Sequence, residues 1–190
     1  MIWDTVHDSR EAFLTCLRAQ CAPGFPQGSL PPAGISDDPN LDGASAILLA
    51  LLDPGLGLCV VGDEPELSSV DARLRHGTGA VAAELADADF VLVGAGAPVG
   101  LVEQARRGSA LAPERGATVV YCAPAPARDV ELSGPGVDGT VRVPVPLAGA
   151  DLAALAAANA DPPRGVAVFI LTARDQVLAI PRSATIGTVR

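Results

Sequence analysis

Five side chains combine useful chemistry with a setting that presents them to a ligand or a partner. Arg75 and His76 stand in "DARLRHGTG", close to Gly77 and Gly79. Glu114 and Arg115 stand in "LAPERGATVVY", at the mouth of an apolar, β-branched run. Arg182 follows Pro181 in "VLAIPRS". A guanidinium is planar and grips a phosphate or carboxylate through two parallel hydrogen bonds. Histidine adds a group that titrates near neutral pH, and Glu114 is a candidate to orient one of the arginines. Neither histidine has an evident Ser–Asp partner, so no hydrolase triad is readable. Each feature also has a plain structural reading. Arg75 and His76 suit the negative end of a helix dipole, Arg182 suits a solvated strand end, and "APERG" suits a strand entry.

Composition narrows the chemistry. All 13 basic residues are arginines. Without lysine this chain can form no pyridoxal-phosphate Schiff base and supply no Walker lysine, so no pyridoxal phosphate is expected. A formal charge of −9 makes it a poor electrostatic partner for nucleic acid. Cys16, Cys21, Cys59 and Cys122 form no C-x-x-C pair, so neither an iron–sulfur cluster nor a zinc site is expected. They read as free thiols behaving as small buried hydrophobes. The opening "MIWDTVHDSREAF" has acids where a signal peptide would be basic and then apolar, which points to the cytoplasm. The apolar run 43–62 is broken by Asp53-Pro54-Gly55. Each half is shorter than the ~20 residues a bilayer needs, so no membrane span is expected.

The elements that must position these residues follow from periodicity and punctuation, in a length that suits one domain over 1–190. A helix is expected over 4–20, with Phe13, Leu14 and Leu17 on one face and Pro23-Gly24 ending it. A loop or edge strand covers 21–42, a helix 43–52 and a strand "LGLCVV". A short helix lies within "DEPELSSVDARLRHG", a strand over 89–93, helical character over 99–107 and a strand over 117–122. "RDVEL" and "TVRVPV" form a hairpin whose second arm Pro144 and Pro146 either place at an edge or let fray. "DLAALAAANA" is a helix with Asp151 near its start. "GVAVFILT" and "QVLAIP" form a closing hairpin across "ARDQ". This order predicts an α/β fold, a three-layer mixed sheet flanked by helices. The strand–turn–helix "DFVLVGAGAPVG" resembles a dinucleotide-binding turn, but Val99 occupies the third glycine place and no acid ends the next strand, so a tight turn is the better reading.

Taken in order, these segments resemble the PhnH family. Phe13, Leu17, Ala19 and Pro23-Gly24 are similar to its F-x-x-L-(L)-x-A-M-x-x-P-G opening, with Gln20 in place of methionine. "ASAILLALLD" is similar to its apolar second helix. Leu74, Arg75 and Thr78 match its L-R-F-H-T pattern, with the histidine one residue early at His76. "GSALAPERGATVV" is similar to its G-T-A-x-A-P-E-x-G-A-T segment, and "LSGPGV" to a glycine turn. "AIPRS" matches its ending, with Ala167 where an acid is often found. The resemblance implies a fold like the large domain of pyridoxal-phosphate-dependent transferases, without the cofactor. It implies a homodimer and membership of a carbon–phosphorus lyase assembly with PhnG, PhnI and PhnJ-type subunits. It further implies support for the step in which an alkylphosphonate displaces adenine from ATP, giving ribose 1-phosphonate 5-triphosphate. A non-catalytic assembly subunit is the alternative. Arg75, His76, Glu114, Arg115 and Arg182 are then substrate-binding or partner-contact candidates.

Overall fold

The computed structural model describes residues 3–172 and 176–188. Its elements run α1 (His7–Cys21), β1 (Gln27–Ser29), α2 (Pro39–Leu51), β2 (Gly57–Val61), α3 (Leu67–Thr78), β3 (Val81–Ala82), β4 (Phe90–Val93), β5 (Thr118–Tyr121), β6 (Arg128–Ser133), β7 (Thr140–Val145), α4 (Gly149–Ala158), β8 (Ala167–Leu171), β9 (Gln176–Ile180) and β10 (Thr185–Thr188). Seven strands form a mixed sheet in the order β1-β9-β8-β5-β4-β2-β3. β3, β2, β4, β5 and β8 are parallel, and β9 runs antiparallel to β8. The turn between β8 and β9 falls on 173–175, outside the described residues.

Strict alternation along the central strands fills two cores. Leu92, Val120, Phe169, Leu171, Val177 and Ala179 face α1, α2 and α3. Val91, Val93, Val119, Tyr121, Val168, Ile170, Leu178 and Ile180 face the other way. There they meet α4, a 3-10 turn over Leu101–Gln104, and a second sheet of order β10-β6-β7. Both faces of a parallel ladder must be covered, because its strands are apolar on both sides. The mixed α/β sheet with helices on its faces is therefore as expected. The β6–β7 hairpin, however, lies on the sheet as a layer of its own, and β10 completes it. Pro144 does sit in an edge strand, β7.

Three local readings are corrected. The helical character expected over 99–107 is only the 3-10 turn. Gly100 enters it with φ +79, and Arg106 and Arg107 belong to a loop. α2 begins earlier than expected, because Asp38 caps it by accepting the Leu41 N–H at 2.8 Å and Pro39 fits its first turn. In α1 the inward face is Ala12, Thr15, Cys16 and Ala19, while Phe13 and Leu17 stay about half exposed. Small side chains let α1 pack closely on α2 and β9, which displaces the larger ones outward. Gly24, just after α1, has φ +80, and a Cβ there would stand 2.7 Å from both Leu132 and Val143. The Pro-Gly ending therefore seats α1 against the second sheet.

The four thiols also differ. Cys16 and Cys122 are buried, Cys59 is partly buried and Cys21 is exposed, so the reading of all four as core residues fails for Cys21. Burial pushes the Cys16 thiol up to about 12. Burial, with Glu64 and Asp38 adding, pushes Cys122 up to about 12. The thiolate is the reactive form. A thiol reagent at pH 8 should label Cys21 rapidly in the native protein, and Cys16 and Cys122 only after unfolding, as mass spectrometry of the labelled peptides will show.

Candidate functional site

The segment 106–116 is a loop closed on itself. Arg106 bonds the Arg115 carbonyl at 2.6 Å and ion-pairs with Asp89. Asp89 in turn accepts the Gly57 N–H at 2.8 Å, tying the loop to the start of β2. Arg107 bridges Gly116 across the loop neck, and its carbonyl accepts the Gly165 N–H at 2.9 Å. Pro113 opens a 3-10 turn through Arg115, and its carbonyl accepts both the Gly116 N–H and the Arg182 guanidinium. A Cβ on Gly116 would fall well inside van der Waals distance of the Gly165 carbonyl oxygen. That close backbone approach explains the glycine. Pro113 starts the turn, and Arg115 lends its carbonyl to Arg106.

Arg182 thus fastens the "PRS" turn after β9 to the "APERG" turn before β5. Between them lies a concavity of about 430 Å³, lined by Gln20, Glu114, Gly116, Thr118, Ala167, Pro181, Arg182 and Ser183. It lies where β5 and β8 begin and β9 ends. Of the five candidates, Glu114 and Arg182 meet here. Arg115 is exposed on the adjoining turn. Glu114 makes no ion pair among the described residues, so it does not orient an arginine as expected. Leu111, at the loop's tip, is 98% exposed.

Arg75 and His76 lie elsewhere, in the last turn of α3, before Gly79 in the left-handed conformation at φ +75. β3, β2 and β4 separate that part of the sheet from β5. Arg75 is held by Asp71, one turn back, through Nε at 3.0 Å and a second bond. His76 is exposed. The helix-end reading accounts for both, and an anion would have to displace Asp71 to reach Arg75.

The glycine turn after β4 is closed to a phosphate by the protein itself. Asp151, in the first turn of α4, accepts the Gly100 N–H at 2.7 Å. A carboxylate thus stands where a pyrophosphate would bind. Sequence reasoning missed this pairing and that of Arg106 with Asp89, because 51 and 17 residues separate the partners. Asp42 was missed too: it accepts the N–H groups of Ala33, Ile35 and Ser36 at 2.9, 2.7 and 3.1 Å, ordering the loop before α2. Among the described residues, no group of three or more His, Cys, Asp or Glu side chains is arranged to hold a metal ion. None of the described helices is long and apolar enough to cross a membrane.

A model of the bacterial phosphonate metabolism protein PhnH matches residues 1–187. The chain belongs to the PhnH family. A role in bacterial phosphonate metabolism follows from that membership. No curated protein matches the sequence. Three of the segments that resemble the family meet in one place. "APERG" and "AIPRS" supply two walls of the concavity, and the end of α1 supplies Gln20. Gln20 and Ala167, the two positions that depart from the family pattern in those segments, both line it.

Replacing Gly116 with alanine should destabilise the fold by about 1–3 kcal/mol, since the added methyl meets backbone that cannot yield. Thermal unfolding should show a Tm several degrees lower. Glu114→Ala, on the same loop but exposed, should leave stability within about 0.5 kcal/mol.

Proposed function

We propose that this chain is a subunit of the carbon–phosphorus lyase system, acting in contact with PhnG, PhnI and PhnJ-type subunits. It supports the step in which a phosphonate oxygen replaces adenine at the anomeric carbon of ATP, giving ribose 1-phosphonate 5-triphosphate. Family membership supports the setting, and one observation carries the mode of action. The loop 106–116 is fixed by Arg106, Arg107 and Arg182, yet it turns Leu111, Glu114 and Arg115 outward beside the concavity. A rigid loop presenting one apolar and two charged side chains pays little ordering entropy on docking.

A second reading, a non-catalytic assembly subunit, is favoured by the engagement of the arginines. Arg182 is bound to Pro113 and Arg75 to Asp71, so two of the arginines considered for an anionic substrate are already engaged inside the fold. A homodimer is proposed alongside it. Phe13 and Leu17, one turn apart on α1 and about half exposed, offer an apolar contact in a chain with few aromatic residues. A cytoplasmic setting, one domain over 1–190 and the likeness to pyridoxal-phosphate transferases without their cofactor belong to the same proposal.

Co-expression with PhnG, PhnI and PhnJ-type partners should yield a stoichiometric complex of defined mass. Leu111→Asp and Glu114→Arg should each lower the partner recovered by about tenfold, a loss of about 1.4 kcal/mol, with Tm unchanged. Wild-type chain that purifies without any partner would overturn the subunit reading. A complex indifferent to both substitutions would move the contact off this loop.

A further inference from the structure

The two halves of loop 106–116 are held by different means. The neck is tied to the body several times over. Arg106 pairs with Asp89 and bonds the Arg115 carbonyl. The Ala117 N–H donates to the Arg106 carbonyl at 2.7 Å, and the Gly165 N–H to the Arg107 carbonyl at 2.9 Å. The outer half, 109–114, has no such footing. None of its side chains belongs to either hydrophobic core. Ser109 and Ala112 bond one another, which closes the turn on itself. Among the described residues, a single hydrogen bond reaches this half from outside the loop. It is the bond from the Arg182 guanidinium to the Pro113 carbonyl.

Arg182 has a firm base for that reach. It stands two residues beyond Ile180, the fully buried last residue of β9. The Ala184 N–H donates to the Pro181 carbonyl at 3.0 Å and closes the turn that carries it. A charged donor makes a stronger bond to a carbonyl than a neutral one does. The acceptor matters as much. The ring of Pro113 already sets its φ, so holding its carbonyl sets its ψ as well. Both backbone angles at the centre of the turn are then fixed, and with them the directions in which Leu111 and Glu114 leave the loop.

We infer that Arg182 is a positioning residue for partner capture. It latches the outer half of the loop in the orientation that presents Leu111 and Glu114, and it does not itself meet the partner. The inference rests on the docking reading and deepens it, by giving "AIPRS" a part in recognition exerted through Pro113.

Arg182→Met keeps a long side chain and removes every donor. Amide hydrogen exchange of the full chain, followed by NMR, supplies a readout that a direct contact would not move. The Gly116 N–H shares the Pro113 carbonyl with Arg182. Exchange at Ala112 and Gly116 should quicken about tenfold, while the Ala117 N–H at the neck exchanges as in wild type. Recovery of PhnG, PhnI and PhnJ-type partners on co-expression should fall about tenfold. Capture that falls with exchange unchanged would overturn the latch, because Arg182 would then act by touching the partner. So would quicker exchange with full capture, or an Ala117 amide that quickens with the others. Arg182→Lys, with stem and charge kept, carries the same comparison should the methionine chain fail to fold. Leu111→Asp separates the two readings. Capture that survives it overturns the docking surface and the latch together; capture lost to Leu111→Asp but not to Arg182→Met overturns the latch alone.

Discussion

The burial of the central strands on both faces is the constraint from which the other layers follow. β4, β5 and β8 are short and almost wholly apolar, and neither side of them can meet water. One face is closed by three helices. Among the described residues the other has only α4 and a single 3-10 turn for helical cover, and a three-stranded sheet completes the layer. With six aromatic residues in 190, the cores are filled by aliphatic and small side chains, which demand close approach. This explains why glycines sit where backbone meets side chain or backbone, as Gly24 does beneath the second sheet and Gly116 does against Gly165.

An arginine-only cationic set acquires a structural meaning in this frame. Arg73 donates to the Ile35 and Gly34 carbonyls at 2.6 Å each, stapling a loop with two arms of one planar fork. Arg106 joins a carbonyl to a carboxylate, and Arg182 joins one turn to another. A guanidinium can span two acceptors in fixed geometry, which the compact ammonium of lysine does less well. Much of what reads as anion-binding potential along the chain is employed inside the fold.

The repeating patterns were legible in the sequence. The apolar runs of β4, β5, β8 and β9 announce buried strands, and Pro144 announces an edge. The Pro-Gly after α1 announces a helix end, whereas α3 runs through Gly77, the glycine expected to follow it, and ends at Gly79. The meeting of "APERG" with "AIPRS" was not legible in the sequence, since 69 residues separate Arg182 from Pro113. Local periodicity misled where tertiary contact decided. Phe13 and Leu17 look like core residues until α1 is seen to bury its small side. Residues 99–107 look helical until Asp151 is seen holding Gly100. The pairings that overrule local preference are long-range, and no spacing rule encodes them.

Thr118 and Tyr121 are the first and last residues of β5, three positions and roughly 10 Å apart. Odd spacing turns their side chains to opposite faces, so one looks toward the helices and the other toward α4. Each lines a different hollow, one at either end of the same strand. The two openings are diagonal across the sheet. A single strand thus contributes to both hollows through side chains on opposite faces.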